Sequence, residues 1–145
     1  MRFSYALGLP RQLVLTVVAV SAVEIPVAHL LLARWNPAVA TAVTALSIAF
    51  IAYVLVDWVA AVRRPYVLTD DTLTLPRGLR AAVEVPTRRI VSVRAVPSND
   101  GLSSQALRTV YAGEANVLLT LDDGTAHAVA ADDPAALIAA LRPAG

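Results

Sequence analysis

Five polar side chains interrupt two long apolar segments near the start of the chain, and their types can support chemistry. An ionisable group in hydrocarbon is costly, so such groups are usually paired or functional. An acid near hydroxyl and imidazole groups can bind an ion, exchange a proton or hold a small polar ligand. The five residues are Glu24, His29, Thr44, Ser47 and Asp57.

Glu24 is the most informative of the five because it lies near the middle of the first apolar segment. Glu24 is ten residues before Arg34, and Ser47 is ten residues after Pro37. Glu24 and Ser47 are therefore expected at similar depth, and Ser47 and Thr44 are candidate hydrogen-bond partners of the acid. Two interpretations stay open: Glu24 is a protonated residue that joins helices, or it marks an ion, proton or ligand site in an oligomer.

His29 and Asp57 are expected to lie apart from Glu24. On an ideal helix, five residues turn the side-chain direction by about 140°, so His29 and Glu24 are not expected to share a face unless a kink at Pro26 changes this angle. Asp57 is close to the end of the second segment, where it can be hydrated or paired with Arg11 or Arg64. No metal site is predicted, because the second segment contains neither histidine nor cysteine.

The two apolar segments each predict a membrane-spanning helix. They cover about residues 13–33 and 38–62, and each exceeds the ~20 residues that cross ~30 Å of hydrocarbon. Because the connection between them is so short, the helices must be antiparallel neighbours. The predicted organisation is therefore a hairpin over residues 1–64, followed by a separate domain over residues 65–145.

Arginine is unevenly distributed around this hairpin. Arg34 alone lies in the turn, whereas the outer ends of the segments are flanked by Arg2, Arg11, Arg63 and Arg64. The positive-inside rule then places both termini in the cytoplasm. We expect a multi-pass protein of the bacterial inner membrane.

Composition and motifs exclude several classes of function. The chain has 145 residues, is 57% hydrophobic and contains no cysteine, which excludes disulfides, zinc ribbons and thiol catalysis. It has no Gly-rich phosphate loop, G-x-S-x-G elbow or H-E-x-x-H pair. A near-neutral tail with few aromatic residues argues against nucleic-acid binding. We therefore predict a non-enzymatic protein without a cofactor.

Beyond residue 65 the apolar residues recur with a period of two, which predicts short antiparallel strands. Hairpin turns are expected at Asp70-Asp71 and at Asp122-Asp123-Gly124, and Asp133-Pro134 is expected to begin a short helix. Pro97–Ala106 is predicted to be a loop. The predicted strands are Tyr66–Thr69, Thr72–Leu75, Ala81–Val85, Arg89–Val96, Leu107–Ala112, Asn116–Leu121 and Thr125–Ala130.

Three segments of the tail resemble the bacterial pleckstrin-homology-like domain over about residues 65–142. They are YVLTDDTLTLPRGL, VPTRRIVSV and LLTLDDGTAHAVAADDPAALIAALR. The resemblance implies an α+β protein with a small antiparallel β-barrel, a C-terminal helix and a role in interaction or scaffolding. The hairpin is similar to small bacterial two-helix membrane proteins that have no established activity, through Glu24, His29, Trp35, Thr44, Leu46-Ser47, Asp57 and Pro65.

The tail is electrically polarised. Residues 63–94 contain seven Arg and three acids, whereas residues 95–145 contain two Arg and six acids. The basic half follows the membrane segment directly, so its arginines are candidates for contact with anionic lipid headgroups; an ordinary solvated surface is the alternative. The acidic Asp70-Asp71 turn departs from phosphoinositide-binding members of the family. The candidate arginines are Arg63, Arg64, Arg77, Arg80, Arg88 and Arg89.

Two functional hypotheses follow. In the first, the hairpin anchors a binding domain that meets a protein partner, or a second copy of the chain, at the cytoplasmic face of the membrane. In the second, an oligomer forms an intramembrane ion, proton or small-ligand site centred on Glu24. A weaker third hypothesis is an enzyme whose polar residues meet only between subunits.

Overall fold

Two long helices form the first half of the computed structural model, which describes residues 1–141. The first, α1, extends over Leu9–Trp35, and the second, α2, over Pro37–Arg63. The helices pack against each other, and the predicted spans lie inside them. They are followed by two antiparallel sheets and a C-terminal helix, so the fold is mixed α+β.

A single residue, Asn36, separates the two helices. Its backbone N–H donates to the carbonyl of Leu32 at 2.8 Å and so closes the last turn of α1. Its side-chain oxygen accepts hydrogen bonds from the N–H groups of Ala38 and Val39, at 3.0 and 3.3 Å. Asn36 therefore ends one helix and caps the next, and Pro37 occupies the first helical position, where a missing N–H costs nothing.

Both helices are long and apolar enough to cross a membrane. Each has 27 residues, and only 6% of its most apolar window is buried. A helix of this length extends about 40 Å, more than the ~30 Å of a hydrocarbon layer. Large apolar side chains such as Leu31, Leu46 and Phe50 are at least 60% exposed. The two helices are therefore candidate membrane spans by length and composition.

Seven short strands form two sheets of four and three strands, and all pairs are antiparallel. The first sheet has the order β1-β2-β3-β4 and the second the order β5-β6-β7. The small antiparallel β-barrel that the resemblance implied is wrong, because within residues 1–141 the two sheets do not join into a closed barrel. The strands are β1 (Arg2–Phe3), β2 (Tyr66–Leu68), β3 (Thr72–Arg77), β4 (Arg80–Pro86), β5 (Ile90–Ala95), β6 (Val117–Leu121) and β7 (Ala126–Val129).

One predicted strand is wrong, and one strand was not predicted. Leu107–Ala112 was expected to be a strand, but a short helix, α3 (Ser104–Leu107), is capped by Ser103 and ends at the first residue of this segment. The buried hydroxyl of Thr109 donates to the carbonyls of Ala106 and Ala128, so this segment covers the second sheet instead of pairing with it. The same helix occupies the end of the predicted Pro97–Ala106 loop.

The strand that was not predicted is β1, at the start of the chain. Arg2 pairs with Val67, and Phe3 pairs with Tyr66. The start of the chain and the tail consequently lie at the same end of the helical hairpin.

The main core lies between the two sheets and continues into the base of the hairpin. It contains Leu73, Leu75 and Val85 from the first sheet and Val117, Leu119 and Val129 from the second, all fully buried. The last described helix, α4 (Pro134–Leu141), adds Leu137. Its first turn is capped as predicted, since the Asp133 carboxylate accepts the N–H of Ala136 at 3.0 Å. Residues 142–145, the end of the predicted domain, lie outside the described part of the chain.

Candidate functional site

Glu24 and Ser47 line one groove between α1 and α2. The groove has a volume of about 390 Å³, and Ser21, Ala28 and Thr44 are among its other lining residues. Glu24 itself is exposed. The sequence placed Glu24 and Ser47 at the same depth, and both reach this groove.

The hydroxyl groups near Glu24 have other hydrogen-bond partners. His29 Nδ1 and Thr44 Oγ1 are 2.8 Å apart, a hydrogen bond between the two helices. Ser47 Oγ donates to the Val43 carbonyl one turn earlier at 2.9 Å. Within residues 1–141, Glu24 therefore lines the groove without a hydrogen bond to Thr44 or Ser47, and His29 is the residue that joins the helices.

Asp57 lies where α2 meets the first sheet. Its Oδ1 accepts the backbone N–H of Leu79 at 2.7 Å, and its Oδ2 accepts the hydroxyl of Tyr111 at 2.9 Å. No ion pair joins Asp57 to Arg11 or Arg64 in the described residues; its partners come from the tail. One carboxylate thus joins α2 to the turn between β3 and β4 and to the loop after α3.

Gly78 permits the turn to approach Asp57 this closely. Its φ is +61°, a conformation that favours glycine. A Cβ added there would lie 2.8 Å from Asp57 Cγ and 2.8 Å from Tyr111 Cε2. The Gly78 N–H also donates to the Tyr5 hydroxyl at 3.3 Å. The position therefore requires glycine both for its backbone angle and for space.

Three tyrosines surround this junction. The rings of Tyr5 and Tyr66 stack with centroids 4.4 Å apart, and Tyr5 meets Tyr111 edge to face at 5.5 Å. Burial, then the adjacent Asp57 carboxylate, raises the pKa of Tyr111 above its ordinary value. Tyr111 therefore keeps its proton and remains a hydrogen-bond donor to Asp57 at neutral pH.

Asp132 makes a second connection, at the start of α1. Its Oδ2 accepts the N–H of Leu7 at 3.1 Å, and its Oδ1 accepts the N–H of Gly8 at 2.9 Å. The Ser4 hydroxyl also donates to this carboxylate. Amides that precede a helix need acceptors, and a carboxylate complements the positive end of the helix dipole. The tail thus contacts both helices of the hairpin.

Apolar packing reinforces these two connections. Tyr5, Ala6 and Ala61 are at most 2% exposed and belong to the main core between the sheets. The indole N–H of Trp58 donates to the carbonyl of Ala6 at 3.0 Å. One side of the end of α2 therefore packs into the core through Ala61, and Trp58 contacts protein at this junction.

The six candidate arginines divide into two groups of three, and the first group comprises Arg77, Arg88 and Arg89. Arg77 donates to the carbonyls of Ala81 and Arg108. Arg88 lines a cavity with Asp70 and Asp71. Arg89 pairs with both Asp122 and Asp123, and these are the two ion pairs found in residues 1–141.

Asp123 is held in its charged form within the predicted β6–β7 turn. The N–H of Thr125 donates to its carboxylate at 2.9 Å, and Arg89 lies on its other oxygen. The Thr125 hydrogen bonds, followed by Arg89, lower the pKa of Asp123 to about 2. The role of Asp123 is therefore to stabilise this turn.

The other three candidates, Arg63, Arg64 and Arg80, line one cavity of about 380 Å³. Arg2 of β1 joins them there, an arginine that sequence reasoning had assigned only to the flank of the first helix. The pairing of β1 with β2 brings Arg2 to this cavity. Because β1 has only two residues, its sequence shows no periodicity from which a strand could be predicted.

Metal-ligating groups do not converge: no three His, Asp or Glu side chains within residues 1–141 are arranged to hold a metal ion. His127 on β7 is half-buried, and its Nδ1 is buried without a hydrogen-bond partner in the same region. Burial lowers its pKa. We interpret His127 as a structural residue.

Comparisons with family models, with curated proteins and with solved structures found no match. The junction and its neighbouring cavity are therefore interpreted from their own geometry.

Proposed function

We propose that this chain is a non-enzymatic protein of the bacterial inner membrane, whose hairpin presents a pleckstrin-homology-like domain to partners at the cytoplasmic face. The observation that carries the proposal is the double connection of the tail to the hairpin through Asp57 and Asp132. A domain that only needed to remain near a membrane would require no more than a linker. Two connections, one at the half-buried Asp57 and one at the exposed Asp132, instead hold it in one orientation.

Helix lengths support this placement. The part of α2 before Asp57, residues 37–56, has 20 residues and is about 30 Å long, which matches the hydrocarbon thickness. In the rest of α2, Asp57 and Trp58 donate or accept hydrogen bonds with residues outside the helix, and Ala61 is buried in the main core. Arginines at this end of the hairpin outnumber Arg34 in the turn, which favours a cytoplasmic location for both termini.

The arrangement of the tail supports a binding domain. Two antiparallel sheets share one core, and a helix after the last strand packs into it. Antiparallel strands followed by a C-terminal helix are elements expected of a pleckstrin-homology-like module, which acts by contact, but the closed barrel of such a module is absent from residues 1–141. At the junction, Asp57 accepts hydrogen bonds from the Leu79 N–H and the Tyr111 hydroxyl, so both side chains have structural partners.

Crosslinking of tagged full-length protein in native membranes tests the proposal. We expect the unmodified protein to capture specific protein partners. These partners should be lost when Asp57 and Asp132 are both replaced by alanine, while the variant still inserts into the membrane. Replacement of Asp70 by alanine is the matched control and should leave capture unchanged. If the double variant at Asp57 and Asp132 captured the same proteins as the Asp70 control, a role for fixed orientation would be contradicted.

A second candidate function is favoured by the exposed Glu24 in the groove between the helices. An acid on a lipid-facing groove is costly unless a second copy or a polar ligand covers it. In an oligomeric ion, proton or ligand site, Glu24→Gln abolishes function but leaves assembly intact. If Glu24 only joins subunits, Gln is tolerated and Glu24→Leu alters the oligomeric state in detergent.

A further inference from the structure

From the arginine cavity we infer a binding site for a phosphate group, with the headgroup of an anionic phospholipid as the expected source. This inference rests on the proposed membrane anchorage and adds a ligand to it. The cavity lies between the end of α2 and the outer face of the first sheet. Its lining consists of Arg2, Arg63, Arg64, Pro65, Val67, Thr74, Pro76, Arg80 and Ala82.

The charges of the cavity are unbalanced. Four arginines line it and no acid does, while both ion pairs of residues 1–141 belong to Arg89. Glu84 lies next to Thr74 across the strands but is exposed and outside the lining. Like charges held together repel one another, and an anion between them removes that cost.

The sheet and the junction position two of these arginines. Arg2 and Thr74 both pair with Val67, so the three residues form a row on one face of the sheet. Arg80 donates to the Tyr111 carbonyl at 3.0 Å, and its guanidinium lies 5.8 Å from the centre of the Tyr111 ring. Arg80 is consequently held by the same tyrosine that binds Asp57.

Chemistry and position both favour phosphate. Guanidinium groups offer paired N–H donors that match phosphate oxygens, and the Thr74 hydroxyl can add another donor. The volume of about 380 Å³ admits a headgroup rather than a single ion. Arg63 follows the end of the proposed hydrocarbon segment at residue 56 by seven residues, about 10 Å along the helix axis, beside the headgroup layer.

The test uses full-length protein in nanodiscs of phosphatidylcholine with increasing phosphatidylglycerol, and native mass spectrometry counts the retained lipid. The cavity variant is Arg63→Gln with Arg64→Gln, and the control is Arg88→Gln with Arg94→Gln, which removes equal charge outside the cavity. We expect phosphatidylglycerol retention to decrease roughly fivefold for each cavity arginine removed. Phosphatidylglycerol retention by the control variant should remain within about twofold of that by the unmodified protein.

A second cavity variant, Arg2→Gln, guards against misfolding, because it alters neither α2 nor its cap. An equal loss of lipid in the cavity and control variants, or no loss in either, would overturn the site. Competition with millimolar inorganic phosphate identifies the source: retention unaffected by phosphate assigns the site to lipid, and displacement assigns it to a soluble phosphate compound. Failure of the unmodified protein to enter nanodiscs would instead contradict the proposed membrane anchorage.

Discussion

The carboxylate of Asp57 accepts a 2.9 Å hydrogen bond from the hydroxyl of Tyr111, 54 residues later in the chain. With the Leu79 N–H on its other oxygen at 2.7 Å, the side chain joins a candidate membrane helix to a turn and a loop of the tail. The geometry of this junction leads to the following predictions.

Replacing Asp57 by alanine should weaken the junction, because it leaves the Leu79 N–H and the Tyr111 hydroxyl without their acceptor. We expect a loss of about 1–3 kcal/mol in the free energy of opening, measured by hydrogen exchange of the Leu79 amide. Tyr111→Phe should cost less, and the double mutant should cost less than the two single changes combined. Strict additivity would show that the two groups do not interact.

Replacing Gly78 by alanine should be more damaging than the same change at Gly101. Both residues have positive φ, +61° and +75°, so each change carries the left-handed backbone cost of about 1–2 kcal/mol. Only Gly78 also meets side-chain atoms, whereas nothing lies within 4 Å of a Cβ at Gly101. The thermal unfolding midpoint should therefore decrease further for Gly78→Ala, and equal decreases would argue against close packing at Asp57.

Replacing Asp132 by alanine should fray the start of α1. The amides of Leu7 and Gly8 lose their acceptor, and the expected cost is about 1–2 kcal/mol, typical of a lost cap. Hydrogen exchange at these two amides measures the effect. Asp133→Ala is the control, since it should accelerate exchange at Ala136 of α4 alone; faster exchange at Gly8 in the control would contradict the assignment.

Mild acid should destabilise the protein through His127. Because burial lowers the pKa of this imidazole, the unfolded state takes up the proton first as pH decreases below about 6.5. The free energy of unfolding therefore decreases as the pH is lowered from about 6.5 to the pKa of His127 in the folded protein. The difference in unfolding midpoint between pH 7.5 and 5.5 should be smaller in His127→Leu; an unchanged difference would assign the effect to other groups.

Local signals were sufficient for much of the fold. Continuous apolar runs predicted both long helices, and the Asp133 cap followed from an acid directly before proline. Turn chemistry located the hairpins at Asp70 and Asp122. Each of these features depends on residues that are neighbours in the chain.

Features that depend on distant contacts were not predicted. Leu107–Ala112 was expected to be a strand like the segments around it. The Ser103 cap instead begins a helical turn, and the buried Thr109 hydroxyl holds the residues after this turn against the second sheet. Asp57 was expected to meet Arg11, Arg64 or water, because nothing in the local sequence indicates that Leu79 and Tyr111 approach it. Nor does the local sequence around Asp132 indicate that the amides of Leu7 and Gly8 approach it.

The most direct test of the account is the distance between the hairpin and the tail in a bilayer. The chain has no cysteine, so spin labels can be attached to Ala49→Cys on α2 and Ser92→Cys on β5 of the full-length protein. Pulsed electron paramagnetic resonance should give one narrow distance distribution in nanodiscs, which broadens when Asp57 and Asp132 are replaced by alanine. A broad distribution in the protein with both acids, or one that the two substitutions leave unchanged, would contradict the fixed orientation.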